Sequence, residues 1–239
     1  MKRSAVTALL AARLDARGLD TAPAGALATL LHCLEAPTAP TSVHDPRAGI
    51  DVHISDSLSG LEVPELQSAP VVADLGAGGG LPGLVLAAVL PRARVVLVES
   101  HNRKCAFLRD AAEAMGVANV EIVCARVEEW RDGADLCYAV TARALASLPV
   151  VVEYAAPLLR PGGALVAWKG QVPQDESDDG VAAARLLGLE LAPPQPVRPF
   201  AGSERRTLYV ARKIAPTPAG YPRRPGMASK RPLSVKNVR

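Results

Sequence analysis

The spacing of apolar residues changes near residue 70 of this chain. Before that point, residues 4–17 and 24–35 carry apolar side chains at helical spacing, residues 36–50 contain three prolines and predict a loop, and residues 50–60 predict a short helix. After it, short apolar runs alternate with amphipathic stretches, which is typical of strands alternating with helices. The predicted strands are 70–75, 94–99, 119–124, 136–142 and 163–168, with an antiparallel pair near 189–198 and 205–213, and the predicted helices are 82–90, 102–115, 147–159 and 176–187.

This pattern predicts an α/β fold. Strands that are apolar almost throughout are buried on both faces, so we expect a mostly parallel, seven-stranded, Rossmann-like sheet with helices on both faces. The expected organisation is a helical N-terminal region over residues 1–60, a sheet domain over 61–213 and a basic, proline-rich, flexible tail over 214–239. Aromatic residues make up only 3% of the chain, so the core must be built from Ala, Val and Leu.

Charge is distributed unevenly along the chain. The net charge is +3, but the last acidic residue is Glu204, and residues 205–239 include ten Lys and Arg. The remaining 17 basic and 24 acidic residues give the rest of the chain a net charge of −7. An acidic body with a basic tail predicts a polyanionic partner reached through the tail, and a merely solubilising tail is the alternative.

Other features exclude several classes of protein. The longest uncharged apolar stretch, residues 81–91, is too short to span a bilayer, and no cleavage-like segment follows the first apolar residues, so we expect a cytoplasmic protein. The four cysteines are widely spaced and form no metal-ligand pattern with the four histidines. We therefore expect reduced thiols and no metal site.

The most specific motif lies between residues 71 and 83. An apolar strand reaches Asp74, four glycines follow between residues 76 and 80, and Pro82 occupies the expected start of a helix. Glycines let a ligand approach the backbone closely, and the free N–H groups of a helix start favour a carboxylate. An acid two residues before Gly76 favours S-adenosylmethionine, whose ammonium group Asp74 is placed to bind.

Two later strand ends complete the predicted cofactor site. Glu99 ends the next strand about twenty residues after the glycines, where an acid can accept hydrogen bonds from ribose hydroxyls. The third strand is followed by Val127 and Glu128, whose side chain and backbone are candidates for an adenine pocket. The equal alternative is that Glu128 and Glu129 form an ordinary first turn of a helix.

A dinucleotide is the rival cofactor. Residues 78–83 satisfy the G-x-G-x-x-G pattern, which is a weak signal by itself. Asp74 lies where a dinucleotide site has an apolar residue, Pro82 falls inside the motif, and no His or Tyr motif for hydride transfer follows. The residues therefore favour methyl transfer.

Several segments together resemble one protein family. They include HISDSL at 53–58, DLGAGGGLPG at 74–83, TARALASL at 141–148 and YPRRPG at 221–226. With its segments in this order over residues 41–233, the chain resembles the bacterial small-subunit ribosomal RNA guanine-N7 methyltransferases, the glucose-inhibited division protein B or RsmG family. The other matching segments are TSVHDP at 41–46, ES at 99–100, RK at 103–104, FL at 107–108, RVEE at 126–129 and KG at 169–170.

The resemblance implies a class I S-adenosylmethionine-dependent methyltransferase that modifies N7 of a specific guanine in 16S ribosomal RNA, free or in the small ribosomal subunit. Loss of the tail after Ala211 is then expected to weaken RNA binding and to leave donor binding intact. We expect a monomer. The alternatives are a methyltransferase for a small molecule or protein, and a non-catalytic nucleotide-binding factor associated with RNA. The motif and the resemblance together give these donor-binding residues: Gly76, Gly78, Leu81, Glu99, Val127, Glu128 and Arg143.

Guanine N7 has a free lone pair, so it can attack a methyl group without losing a proton. The expected mechanism therefore depends on positioning and needs no catalytic residue. Arg143 follows the predicted strand 136–142, and it should emerge at the carboxyl edge of the sheet as a contact to the donor or to an RNA phosphate. An ordinary surface salt bridge is the alternative for Arg143. The other candidate RNA contacts are Lys169, Arg205 and Arg206.

Overall fold

Eight strands form a single sheet in the computed structural model, which describes residues 2–238. Met1 and Arg239, the outer ends of the predicted N-terminal region and tail, lie outside the described residues. The strands are β1 (Val71–Leu75), β2 (Arg94–Glu99), β3 (Val120–Cys124), β4 (Cys137–Arg143), β5 (Leu159–Lys169), β6 (Leu189–Leu191), β7 (Gln195–Val197) and β8 (Arg206–Lys213).

The predicted α/β class with a mostly parallel sheet is confirmed. The strand order is β3-β2-β1-β4-β5-β8-β6, with β7 also paired to β8. Strands β1 to β5 are parallel, and β8 runs antiparallel to β5, β6 and β7. The sheet has eight strands instead of seven because Pro193 and Pro194 interrupt the predicted strand over 189–198. Proline has no N–H for a strand ladder, so the segment pairs with β8 as two short pieces.

Helices cover both faces of the sheet, as predicted. Side chains alternate along each strand. Val95 and Leu97 therefore join the core beneath the N-terminal helices, while Val96 and Val98 join the core on the opposite face. The helices are α1 (Arg3–Asp15), α2 (Ala24–Leu34), α3 (Pro46–Gly49), α4 (Asp56–Leu58), α5 (Pro64–Gln67), α6 (Gly83–Val89), α7 (Asn102–Met115), α8 (Leu148–Ala155), α9 (Gln174–Leu186) and α10 (Met227–Lys230).

A helical segment over residues 46–62 joins the N-terminal helices to the sheet. It begins earlier than the predicted helix over 50–60, because the Asp45 carboxylate accepts hydrogen bonds from two backbone N–H groups of the first turn and Pro46 suits the first helical position. Between α3 and α5 the segment passes through a π-helical turn, Ile50–Ser55, and a 3₁₀ turn, Ser59–Glu62.

The C-terminal segment lies against the body of the protein, whereas its composition predicts a flexible tail. Ala228 and Leu233 are buried in the core beside α8. Arg223 forms an ion pair with the fully buried Glu153 of α8. Amino-acid composition does not predict contacts between residues so far apart in the sequence. A truncation after Ala211 would also cut into β8, since Ala211 lies buried within that strand.

A disulfide joins Cys105 in the first turn of α7 to Cys124 at the end of β3. The prediction of reduced thiols is therefore wrong for this pair, whereas Cys33 and Cys137 are free. The two sulfurs meet because Glu99, just before α7, is paired in the parallel sheet with Cys124. Their spacing of nineteen residues along the chain gives no hint of this register.

Candidate functional site

The glycine loop after β1 has a backbone conformation at three positions that disfavours residues with a side chain. Gly76, Gly78 and Gly80 have φ angles of 67°, 53° and 83°, in the left-handed region that favours glycine. A Cβ atom on Gly76 would lie 2.6 Å from Leu145, whereas one on Gly78 would meet only a backbone oxygen at 3.7 Å. Gly78 therefore presents bare backbone to open space, as the sequence predicts for a loop that a ligand approaches.

Asp74 holds this loop in place from inside the protein. One carboxylate oxygen accepts from the backbone N–H of Gly83 at 2.9 Å, and the other accepts from the Thr141 hydroxyl at 2.9 Å. Burial raises the pKa of Asp74 to about 6, against the opposing effect of these two hydrogen bonds. The carboxylate thus ties β1 to β4 and to the start of α6, and the structure does not place it to bind a ligand's ammonium group.

Glu99 ends β2, as predicted, and lies next to the glycine loop. Its Oε2 accepts from the Gly78 N–H at 3.1 Å, and its Oε1 accepts from the His101 N–H at 2.9 Å. Burial by itself would raise the pKa of Glu99, but the hydrogen bonds from His101 and Gly78 outweigh it and lower the pKa. The side chain is only 4% exposed, so this is a buried, ionised carboxylate beside the loop.

Two cavities meet at Gly76, at the carboxyl edge of the parallel strands. The wider one, of about 420 Å³, lies between the glycine loop and the helical segment 46–62. The narrower one, of about 180 Å³, lies beside the turn that follows β3. Of the predicted site residues, Gly78, Leu81, Arg143 and Arg206 line the wider cavity, Val127 and Glu128 line the narrower one, and Gly76 lines both.

Arg143 emerges from the end of β4 at the wall of the wider cavity. Its guanidinium donates to the Val52 carbonyl at 3.1 Å and to the Asp56 carboxylate at 3.0 Å. Arg206 approaches the other oxygen of Asp56 to 3.3 Å. Burial lowers the pKa of Arg143, and Asp56 opposes that shift. Arg143 and Arg206, which were predicted separately as site residues, are thus brought together by Asp56. The sequence reasoning missed this acid, although the segment HISDSL contains it.

Lys169 and Arg205, like Glu99, lie outside the walls of both cavities. The Lys169 ammonium donates to the Ala146 carbonyl at 2.9 Å and to the Glu176 carboxylate at 2.8 Å, which ties β5 to α9. Arg205 is exposed on the surface just before β8. The structure therefore gives Lys169 a structural partner and leaves Arg205 to solvent.

Residues 127–129 follow β3 and contribute to the narrower cavity. They form one turn of 3₁₀ helix, and Val127 and Glu128 also line the narrower cavity. The Glu128 side chain accepts a hydrogen bond from the backbone N–H of Gly226 at 2.8 Å. Tyr154 of α8 and Ser229 of α10 complete this wall, and the sequence reasoning missed both because they belong to distant segments.

His53 is the titratable side chain of the wider cavity that most resembles a general base. Its Nε2 is 3.0 Å from the Val43 carbonyl and 3.1 Å from the Thr41 hydroxyl. Burial lowers the pKa of His53, which favours the neutral ring. A neutral imidazole that donates to a carbonyl holds the 41–43 loop and has no free lone pair at Nε2.

Residues 2–238 contain no cluster of His, Cys, Asp and Glu that could hold a metal ion. Within the same range, none of the helices combines the length and the apolar character that a membrane crossing requires.

Residues 24–193 of the chain match the family model described as rRNA small subunit methyltransferase G. The ribosomal RNA small subunit methyltransferase G of Rubrobacter xylanophilus is 46% identical over 195 residues, which cover 79% of this chain and 75% of the relative. The protein of the same name from Deinococcus deserti is 38% identical over 237 residues, covering 95% of this chain and 96% of the relative.

Solved structures with a similar fold are more distant in sequence. A SAM-dependent methyltransferase from Aquifex aeolicus superposes with a TM-score of 0.55 at 11% identity, covering 77% of this chain and 97% of that one. A fibrillarin pre-rRNA processing protein of Methanococcus jannaschii superposes with a TM-score of 0.53 at 14% identity, covering 67% and 74%. At such identities the likeness shows the fold alone, and that fold is the Rossmann-like one predicted from the strand pattern.

Proposed function

This chain belongs to the rRNA small subunit methyltransferase G family, and from that membership we propose that it transfers a methyl group from S-adenosylmethionine to N7 of a specific guanine in small-subunit (16S) ribosomal RNA. The observation that carries the proposal is the meeting of two cavities at Gly76, on the carboxyl edge of the sheet. One cavity suits the donor's adenosine end, and the other has room for its amino-acid end and for an incoming base.

The residues present fit the donor. The open backbone at Gly78 admits close approach of a ligand, and the turn at Val127 and Glu128 would receive the adenine ring. Glu99 uses three of the four lone-pair positions on its two oxygens for Gly78 and His101, which leaves one for a ribose hydroxyl. When bound, S-adenosylmethionine supplies an electrophilic methyl group on a sulfonium.

Arg143 and Leu81 would define the side of the wider cavity that faces the donor. The Arg143 guanidinium is held by Val52 and Asp56, so its orientation is fixed before any ligand arrives. A guanidinium that is held in this fixed orientation suits a donor carboxylate or an RNA phosphate, since its planar group can pair with either.

No general base is needed on the acceptor side, because guanine N7 attacks through a lone pair and loses no proton. His53 is committed to Thr41 and Val43, which agrees with a role for it in shaping the cavity. The protein's contribution is then to exclude water and to align the base. A guanine in a single-stranded region reaches such a cavity at small energetic cost, whereas a paired base must first be extruded.

The experiment is a methylation assay with labelled S-adenosylmethionine and small-subunit RNA from cells that lack this gene. Free RNA and assembled subunits serve as separate acceptors, and aniline cleavage after borohydride reduction maps N7-methylguanine. We expect label at a single guanine. Label at another base or atom, or only in protein or small molecules, would refute the proposal.

A further inference from the structure

The last part of the chain closes one side of the narrower cavity. We name residues 221–233 the C-terminal clasp. Ser229 of the clasp lies on the cavity wall with Tyr154 of α8, and the two hydroxyls are 3.2 Å apart. The Gly226 N–H donates to the carboxylate of Glu128, at 2.8 Å, on the same wall. Two independent hydrogen bonds thus join the clasp to residues of the cavity.

A buried ion pair anchors the clasp to α8. The Glu153 side chain is 0% exposed, and it accepts from the backbone N–H of Arg223 at 3.1 Å and from its guanidinium at 2.9 Å. The guanidinium also donates to the Arg231 carbonyl at 2.9 Å, so it closes the clasp on itself. The hydrogen bond from Arg223 to Glu153 raises the pKa of Arg223, although burial opposes this. Undocking the clasp would leave the Glu153 carboxylate buried without a cationic partner, so the ion pair favours the docked position.

From this geometry we propose that the C-terminal clasp is part of the donor site, where it forms the outer wall of the pocket for the adenosine end. The inference rests on the proposed function, because that function identifies the ligand as S-adenosylmethionine. The clasp fixes the Glu128 carboxylate and the Tyr154 hydroxyl, and it shields one side of the pocket from water. Without it the pocket becomes an open groove, and the ligand buries less of its surface.

Coupling between clasp and donor follows from this arrangement. If the docked clasp strengthens donor binding, then the donor must stabilise the docked clasp by the same factor. The basic segment is therefore expected to serve donor binding as well as RNA binding. This differs from the expectation, drawn from composition, that the tail contacts RNA alone.

The test compares Arg223→Gln with Arg224→Gln in the full-length protein. The two variants lose the same charge at neighbouring positions, but Arg224 is exposed while Arg223 pairs with Glu153. Calorimetric titration with S-adenosylmethionine, in the absence of RNA, should show about a tenfold or greater loss of affinity for Arg223→Gln and less than a twofold change for Arg224→Gln. Unchanged affinity in both variants, or the same loss of affinity in both, would overturn the inference.

A second measurement needs no variant. Trypsin can cleave after Lys230, which is exposed within the clasp. Saturating S-adenosylmethionine should slow this cleavage at least several-fold in the unaltered protein, and an unchanged rate would overturn the inference even if Arg223→Gln fails to fold. If the unaltered protein does not bind S-adenosylmethionine at all, the proposed function fails with it. Normal binding that is insensitive to the clasp refutes only the inference.

Discussion

Asp74 is a buried carboxylate with both oxygens hydrogen-bonded inside the protein, and burial raises its pKa to about 6 from 3.8. Between these two values the folded state binds more protons than the unfolded state, so the contribution of Asp74 to stability falls as pH rises. It is fully present below pH 3.8 and lost above pH 6.

An Asp74→Asn variant should remove this dependence on pH. Asparagine keeps an acceptor for the Gly83 N–H, and its amide can donate to the Thr141 hydroxyl, so the contacts survive without the charge. Relative to the variant, the wild-type free energy of unfolding should fall by about 2–3 kcal/mol between pH 4 and pH 7. Urea unfolding at several pH values measures this. Asp110→Asn, at an exposed acid, is the control; a constant difference between wild type and Asp74→Asn would contradict the prediction.

Asp56 and Asp51 lie on the same helical segment, and substituting each of them compares a buried ion pair with an exposed one. Asp56 is buried between Arg143 and Arg206, whereas Asp51 pairs with Arg13 at the surface. Asp56→Asn leaves a buried guanidinium without an anion and should lower the free energy of unfolding by about 2–4 kcal/mol. Asp51→Asn should change it by less than about 1 kcal/mol. Similar losses in the two variants, measured by urea unfolding, would show that the surroundings of Asp56 do not matter.

At the scale of elements, α6 depends on close contact with the sheet at its first residue. A Cβ on Gly83 would lie 2.2 Å from Leu97 of β2 and 2.8 Å from the Asp74 carboxylate. Gly83→Ala must therefore push α6 away from β2, and we expect a loss of about 1–3 kcal/mol in thermal or urea unfolding.

Gly25 in α2 provides the matched control for that substitution. A Cβ there would have no heavy atom within 4 Å, and the residue is helical. Gly25→Ala should therefore stabilise the protein by up to about 1 kcal/mol, because alanine has the higher helix propensity. A loss of stability in Gly25→Ala, or no loss in Gly83→Ala, would contradict this prediction.

Elements with a long or uniform pattern could be predicted from the sequence. The limits of α7 and β2 agree with the predicted ranges 102–115 and 94–99, because one has a clear amphipathic period and the other an unbroken apolar run. The start of β5 is harder to predict, since Gly162 and Gly163 resemble a turn, yet the strand includes them and its register against β4 shifts there.

The residues of the candidate site also fall into two groups, those that the sequence could predict and those that it could not. The glycine loop and Glu99 could be found because local spacing along the chain places them at strand ends. Asp56, Tyr154 and Ser229 could not, since each reaches the site through packing between distant segments. The contacts between the tail and α8 could not be predicted for the same reason, because Arg223 pairs with a buried acid, Glu153, that is far away along the chain.

For the molecule as a whole, the count of ten basic residues after Glu204 is larger than the number of positive charges that are available to RNA. Arg206, Arg212 and Arg223 are each paired with an acid of the body. Lys213 is buried, and burial lowers its pKa to about 8. Only part of the segment's positive charge is therefore directed outward, and the salt dependence of RNA binding should reflect that smaller number.

Exposed and paired basic residues should then differ in their effect on RNA binding. Lys230 and Lys236 are exposed, so replacing both with Gln removes up to two ion pairs with RNA phosphates. The slope of log K against log salt should become shallower by about 0.7–0.9 for each phosphate that is no longer neutralised. Arg212→Gln removes a charge already paired with Glu65, so its slope should stay close to that of the wild type. Fluorescence anisotropy with a small-subunit RNA fragment at several salt concentrations measures all three proteins. If the slope changes equally for exposed and paired positions, net charge governs RNA binding and the ion pairs of the fold do not.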